Sequence, residues 1–322
     1  MKWIARLVLL AFALPGAASP AAFGAYPLKA VHLVVGFPPG SQPDIVARLL
    51  AHDLAKGLGQ PVVVENMAGA AGNIAAERVA KSAPDGYTIG LLSQTHMVVN
   101  PSLYRLAYDP VKDLAPVTQV TVSPNLLVVS PAVPARSVAE LVALAKAQPG
   151  ALTFASSGSG SGTHMAAELF KSSTHIDIRH IPYKGVVAAI PDLLGNRVSL
   201  MFSPIPVALP LVREGKLRAL AVTSLHRSAA APDVPTVAEA GYPGFEATNW
   251  YGLVVPSRTP AAIIDTLHAE AVKALAGAEL GAKLNDLGLE VIANTPEQFA
   301  AAIESEIPKW RKIIHDSALT PD

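Results

Sequence analysis

The chain of 322 residues contains no cysteine, which removes disulfides, thiolate metal sites and cysteine nucleophiles together. Charge is scarce: Asp, Glu, Lys and Arg make up 16% of the residues, and 25 basic side chains balance 25 acidic ones. A formal net charge of zero leaves no basic stripe for a nucleic acid and no charged tail. Beyond the N-terminus, no apolar stretch reaches membrane-spanning length without a charge or a proline. What is abundant is apolar residues, 51% of the chain, together with 28 prolines. The prolines sit at element boundaries such as Pro38-Pro39 and Pro131, where they punctuate loops of a folded protein. Without disulfides the fold must rest on its core, and this length suffices for one large domain or two lobes.

The first 25 residues read as a processing segment. Lys2 and Arg6 supply a positive start, Leu7 to Leu14 a short apolar run, and Gly16 to Ala25 a small-residue cleavage zone. The run is too short for a comfortable membrane anchor. Export with cleavage, and no lipid-attachment cysteine, implies a free periplasmic protein in a Gram-negative source.

Short apolar strands then alternate with helical patterns, which predicts α/β layers around a largely parallel sheet. The first series has strands at Val31–Gly36, Val62–Glu65 and Thr88–Leu92 with helices at Ile45–Leu58 and Gly72–Lys81. A long irregular connection leads to strand Leu126–Val129 and helix Ser137–Ala147, where Ser137 and Glu140 form a capping-box pattern. The second series has strands at Leu152–Ala155, Asp177–Ile181, Leu200–Phe202 and Ala219–Thr223, with helices at Thr163–Ser172, Val186–Leu194 and Val207–Glu214. A connector rich in Pro and Gly, Ala231 to Phe245, precedes strand Gly252–Val255 and helix Ala261–Leu275. The last helix starts at Thr295-Pro296, with Gln298 completing a capping pattern. Two series imply two lobes: residues 26–124 and 246–322 form a discontinuous first lobe, and 125–245 the second. A cleft between such lobes is a favoured ligand site.

Two strand–helix junctions share one grammar. After the first strand comes Phe37-Pro-Pro-Gly-Ser41, with Gly40 free to take a positive φ and Ser41 and Asp44 spaced as a capping box. Asp44 reads as structural, since its charge in the first helical turn would repel a nearby anion. After strand Leu152–Ala155 comes Ser156-Ser-Gly-Ser-Gly-Ser-Gly-Thr-His164. That run has no Gly-x-Ser-x-Gly elbow, because Gly160 sits at its centre, and Thr163 stands where a P-loop needs Lys and a dinucleotide fingerprint needs Gly. What survives is a loop dense in N–H and hydroxyl donors. Two helix N-termini facing a shared cleft are ready-made receptors for a small anion. His164, His175 and His180 lack the spacing of a metal site, and His164 is expected to anchor its loop. No serine is marked as a nucleophile, although triads assemble across sequence and a secreted serine hydrolase stays open as an alternative. Asn249-Trp-Tyr-Gly252 places two aromatics at the lobe connection, to wall the cleft or to pack the core.

Several segments together resemble the Bug-type receptors, the periplasmic substrate-binding proteins of tripartite tricarboxylate transporters. They include Val34-Val-Gly-Phe-Pro-Pro-Gly-Ser-Gln-Pro-Asp44, Gly59-Gln-Pro-Val-Val-Val-Glu-Asn66 and Pro84-Asp-Gly-Tyr-Thr88. Further matches are His180-Ile-Pro-Tyr-Lys-Gly185, Gly215-Lys-Leu-Arg-Ala-Leu-Ala-Val-Thr223, Pro232-Asp-Val-Pro-Thr-Val-Ala-Glu-Ala-Gly241 and Trp250-Tyr-Gly-Leu. The similarity runs collinearly over essentially the whole mature chain. It implies a two-lobed, type II-like periplasmic-binding fold that closes on a small carboxylate without cofactor, metal or catalysis, as a monomer serving a membrane permease. A sensor role feeding a signalling partner is the alternative within the same binding chemistry.

On the matched positions the resemblance implies Phe37, Gly40 and Ser41 with Ser93 from the first lobe. From the second it implies Ser156, Gly158, Ser159, Gly160 and Thr163. Two positions depart from the pattern of many relatives, which have Gly where Ser41 stands and Asp where Ser203 stands. An Asp at the latter could pair with a ligand ammonium group, so Ser203 points toward carboxylates lacking an amine. Charge-assisted hydrogen bonds contribute about 1.5–3 kcal/mol each. Four or five such donors from two helix termini are expected to reach the roughly 8 kcal/mol of micromolar binding net of ordering costs, without a dedicated arginine.

Overall fold

A computed structural model describes residues 26–317 and residue 319. The export segment read from the first 25 residues lies outside the described residues. Within them, no helix is long and apolar enough to cross a membrane.

The sheet grows from β1 (Val31–Val35), which runs parallel to β2 (Val62–Asn66) on one side and β3 (Thr88–Ser93) on the other. Val31, Leu33, Val34 and Val35 are all buried, as a parallel strand covered on both faces requires. α1 (Gln42–Leu58) covers one face through Val46, Leu50 and Leu54, in the same core cluster as Leu33 and Val35. α2 (Asn73–Ala80) covers the other, joining Ala75, Ala76 and Val79 to Val34.

Two long strands carry the sheet into its second half. β9 (Thr248–Pro256) lies antiparallel to β3, and the 16-residue β4 (Leu114–Val129) lies antiparallel to β9 as far as the pair Pro124 with Thr248. From Asn125 onward β4 changes partners, pairing with β7 (Leu200–Pro204) on one edge and β8 (Arg218–Val222) on the other. Beyond β7 come the parallel strands β5 (Thr153–Ser156) and β6 (Arg179–Pro182), giving the order β2-β1-β3-β9-β4-β7-β5-β6. This is the expected two-lobed α/β fold with a central cleft, but the sheet is mixed rather than largely parallel, because β4 and β9 run antiparallel to every strand they pair with. In the second half, α5 (Gly162–Thr174) lies with β5 and β7, and α6 (Val186–Leu194) and α7 (Ile205–Arg213) bury Ala189, Leu193 and Ile205 in a separate cluster. α10 (Pro296–Asp316) contributes Trp310, Ile313 and Ile314 to a core that includes Leu92 of one half and Phe170 and Phe202 of the other.

The connection read as irregular before Leu126 is structured. It holds a π-helical turn (Thr95–Val99), the short α3 (Asn100–Leu103) and the first stretch of β4. Pro116 and Pro124 argue against a strand because neither can donate to the ladder. The structure accommodates this stretch with register shifts between Pro116 and Thr118 and between Gln119 and Thr121. Helix α9 (Ala278–Asp286) and strand β10 (Glu290–Val291), paired with β4, are further additions to the sequence reading. The caps expected at α10 and at α4 (Val138–Ala147), the helix between β4 and β5, fare differently. Thr295 and Gln298 form a complete capping box at α10. Ser137 accepts the Glu140 N–H at α4, but the Glu140 carboxylate reaches the Arg136 N–H instead of closing the box.

Candidate functional site

The carboxyl ends of β1, β2, β3, β5 and β7 open onto one cavity of about 460 Å³, with β9 forming part of its wall. Such crevices beyond strand carboxyl ends are where open α/β sheets bind ligands. Among the described residues, no Asp, Glu, Lys or Arg lines it.

The loop after β5 is held from beneath by a column of rings. Phe154 stacks on His180 at 4.8 Å, and His180 stacks on His164 at 3.8 Å. Each imidazole supports one glycine of the loop. His164 Nδ1 accepts the Gly160 N–H at 3.0 Å, the anchoring role expected of it. His180 Nε2 lies 2.6 Å from the Ser156 hydroxyl, whose oxygen accepts the Gly158 N–H. Ser156 is fully buried, so its contact with an imidazole lies out of reach of a substrate. Ser161 caps α5 by accepting the His164 N–H, and its own hydroxyl donates to the Gly158 carbonyl at 2.6 Å. The Thr163 hydroxyl oxygen accepts the Ser157 N–H at 2.9 Å. With these internal donors satisfied, the N–H groups of Ser159, Gly162 and Thr163 have no acceptor among the described residues. All three residues line the cavity.

The turn after β1 is built differently from its sequence reading. Ser41 has the backbone of an N-cap, but its side chain makes no capping bond and donates to the Pro38 carbonyl at 2.6 Å. The predicted Ser41–Asp44 capping box is therefore not formed. Asp44, buried, instead accepts from the Gly40 N–H at 2.8 Å, from Arg48 Nε at 3.1 Å and from Asn66 Nδ2 at 2.8 Å. Burial pushes its carboxyl up, but the bonds from Arg48, Gly40 and Asn66 prevail and hold it below the ordinary carboxylate range. A fixed negative charge thus occupies this helix start, and the Gly40 N–H is turned onto it. Phe37, Pro38 and Gln42 reach the cavity from this turn, and the Gln42 N–H has no acceptor among the described residues.

Of the residues singled out from the sequence, Phe37, Ser93, Gly158, Ser159, Gly160 and Thr163 share the cavity wall. Gly40, Ser41, Ser156 and Ser203 lie outside it. Ser203 is fully buried, with its hydroxyl on the Pro204 carbonyl at 3.3 Å. The wall also contains the turn after β2 (Ala68, Gly69, Ala71, Gly72) and the turn after β3 (Gln94, Thr95, His96), with Asn100 and Tyr104 beyond them. Met67-Ala-Gly-Ala-Ala-Gly72 follows a strand and opens a helix as the other two turns do, a signal present in the sequence and passed over.

His96 ties these turns together. It is fully buried, its Nδ1 accepts the Ser93 N–H at 3.1 Å, and its ring lies 5.1 Å from that of Phe37. The ring hydrogen therefore sits on Nε2. That nitrogen abuts Gly72 so closely that a Cβ there would stand 1.8 Å from it. Burial drives the imidazole pKa down to about 4, against an opposing pull from the Ala71 backbone, so the ring is neutral at physiological pH. The neighbouring Ala70 and Ala71 take φ of 47° and 54°, a left-handed conformation costing about 1–2 kcal/mol per non-glycine residue. A second close approach joins the halves: a Cβ on Gly162 would lie 1.6 Å from Asn249 Oδ1 of β9.

Residues 46–319 match the model of the tripartite tricarboxylate transporter family receptor. Protein BugT of Bordetella pertussis is 38% identical over 319 residues, covering 98% of both chains. The solved structure of R. palustris Rpa4515 with adipate matches with a TM-score of 0.79 at 36% identity, over 92% of this chain and 100% of that one. That of MatC (Rpa3494) from Rhodopseudomonas palustris with bound malate gives 0.75 at 35%, over 90% and 100%.

Proposed function

The chain belongs to the tripartite tricarboxylate transporter receptor family, and we propose that it is an extracytoplasmic receptor closing on a small carboxylate without an ammonium group. The observation that carries this reading is the pairing of free amides with an uncharged cavity. Ser159, Gly162 and Thr163 at the start of α5, and Gln42 at the start of α1, offer N–H donors to a space that no Asp, Glu, Lys or Arg of the described residues lines. The start of α5, with no acidic side chain in its first turn, favours a carboxylate through oriented amides and the positive end of the helix dipole, whereas at α1, where Asp44 offsets the dipole, the Gln42 amide alone is offered. An ammonium group would find no carboxylate to pair with there, and burying an unpaired charge is costly. The adipate and malate held by relatives of this chain agree with that selection.

In this reading the lobes are residues 26–124 with 246–322, and 125–245. The hinge lies where β4 exchanges β9 for β7 and β8, at Pro124 and Asn125. Gly40 and Ser41 serve the first turn as backbone elements, and Phe37, Ser93, Gly158, Ser159, Gly160 and Thr163 contact the ligand. Because donors come from both lobes, a bound carboxylate has its higher affinity for the closed state and shifts the population toward it. The closed receptor then hands the ligand to a tripartite tricarboxylate-type permease after export to the periplasm.

Native mass spectrometry of the protein as purified, followed by calorimetric titration with adipate, malate, benzoate, aspartate and glutamate, tests this reading. The expected result is binding of one or more of the amine-free acids without turnover. A preference for aspartate or glutamate, or hydrolysis of ester substrates at a rate abolished by a loop serine substitution, would refute it.

A further inference from the structure

Behind the cavity lies a second, polar cavity of about 420 Å³ between α10, β4 and β9, and Gln94 lines both. The carboxylate of Glu306 sits on its wall, outside the ligand cavity. It gathers three donors: Gln94 Nε2 at 2.7 Å, the Trp250 indole N–H at 3.1 Å and the Trp310 indole N–H at 3.1 Å. Gln94 and Trp250 both line the ligand cavity and are almost completely buried, at 3% and 2% exposure.

We propose that Glu306 is the positioning residue of the ligand cavity's rear wall, fixing the Gln94 amide and the Trp250 indole from outside. An ionised carboxylate has about four acceptor sites and no donor, so it takes all three N–H groups at once. That choice also sets the orientation of the Gln94 amide: with Nε2 committed to Glu306, its oxygen is the atom left for other partners. An amide in place of Glu306 would offer one acceptor oxygen and bring two N–H groups of its own into a site already filled with donors. Burial pushes the Glu306 carboxyl up and prevails over the bonds from Gln94 and Trp310, the Lys309 charge and the Trp250 bond, so the three N–H donors are what favour its ionised form. Lys309 itself donates to the Glu246 carbonyl, so the ammonium nearest this carboxylate is held elsewhere. Trp250 lies on β9 and Gln94 at the end of β3, next to the paired residues Ser93 and Tyr251. Glu306 therefore fastens the C-terminal helix to the two strands that carry the rear wall.

The part of this assignment that concerns a ligand rests on the receptor reading above, so the test has one arm that needs no ligand. From residue 26 onward the tryptophans are Trp250 and Trp310, and each gives one indole N–H resonance in ¹⁵N-labelled protein. In Glu306→Gln the Trp250 indole is expected to move upfield and to exchange with solvent about tenfold faster, as a donor freed from its acceptor does. Should that variant fail to fold, Glu306→Asp, which keeps the charge but shortens the reach, is read in the same way. In the second arm, adipate, malate and benzoate are titrated into wild type, Glu306→Gln, Gln94→Leu and the double variant. Loss of affinity is expected to be about tenfold for Glu306→Gln in the wild-type background and about threefold or less in the Gln94→Leu background, because residues in one network couple. Unchanged exchange at Trp250, or the same fold-loss in both backgrounds, overturns the assignment. If wild type binds none of the three acids, the receptor reading has failed for those acids, and the exchange arm alone decides the role of Glu306.

Discussion

Acidification tests the neutral imidazole at the centre of the site. His96 has a folded-state pKa of about 4 against 6.5 for the free side chain, because burial disfavours its charged form. Between those values the unfolded chain binds more protons than the native one, so stability rises with pH there and is lost as pH falls. The full shift corresponds to about 3 kcal/mol. Of this, about 1.4 kcal/mol is lost by pH 5.5 and nearly all of it by pH 4. Other groups titrate in the same range, so the quantity to measure is a difference. Urea unfolding of wild type and His96→Asn at pH 7.5, 5.5 and 4 supplies it. Asn can still accept the Ser93 N–H but carries no titrating ring. The variant is expected to be less stable at pH 7.5 by about 1–3 kcal/mol, for the space the ring vacates. Relative to wild type it should gain about 3 kcal/mol on going to pH 4, so that the deficit vanishes or reverses, as wild type loses what the variant never had. Parallel stability curves would show that His96 is not buried neutral, and the account of the turns it joins would fall with it.

Asp44→Asn removes a depressed carboxylate that accepts from Gly40, Arg48 and Asn66. We expect a loss of about 1–3 kcal/mol in urea unfolding at pH 7, shrinking as pH falls through the carboxylate range because wild type loses the same contribution there. Thr163→Val leaves the Ser157 N–H without its acceptor. Carboxylate affinity measured by calorimetry should fall by about 1–3 kcal/mol, with a near-native circular dichroism spectrum. Gly162→Ala sets a methyl group against Asn249 Oδ1. It is expected to displace that side chain from the cavity wall and weaken binding by about 1–3 kcal/mol, while the melting temperature changes little because alanine suits a helix better than glycine.

The elements whose physics is local were legible in the sequence. Helices α6 and α8 (Ala261–Leu275) have the predicted boundaries, set by apolar spacing, and Thr295-Pro296 with Gln298 caps α10 as its spacing requires. What was missed depends on partners distant in the chain. The first stretch of β4 carries two prolines and reads as a connection until β9 is placed beside it. Ser41 and Asp44 are spaced for a capping box, yet Arg48 and Asn66 draw the carboxylate away and the Pro38 carbonyl draws the hydroxyl. The Ser/Gly loop was recognisable as a dense run of donors. That Phe154, His180 and His164 would stack beneath it could not be read from residues spread over two strands and a helix. Ser203 shows the opposite limit: the sequence reading took it as a ligand-facing position, but its side chain is buried outside the cavity. The uncharged character belongs to the whole wall.

The number of free amides also limits what the carboxylate group alone can contribute. Gln42, Ser159, Gly162 and Thr163 give four donors, or about 6–12 kcal/mol gross at about 1.5–3 kcal/mol per charge-assisted bond. Association itself costs about 4–15 kcal/mol, so the head group by itself reaches the roughly 8 kcal/mol that micromolar binding requires only when every bond is at its strongest and the cost at its lowest. The remainder has to come from the body of the ligand against Phe37, Tyr104, Val186, Trp250 and Tyr251, the apolar and aromatic part of the wall. Burial pushes the Tyr251 phenol up, so it stays protonated, and its hydroxyl donates to Gln42 Oε1 at 3.3 Å, which places it as a neutral surface. Acetate, which is all head group, should therefore bind about a hundredfold or more below the best acid of a length series, at about 0.8 kcal/mol per buried methylene. The heat-capacity change of binding should grow more negative with chain length, as apolar burial dictates. Acetate within tenfold of the best ligand, measured by calorimetry across that series, would mean that the amides do carry the affinity and that selectivity does not lie in the aromatic wall.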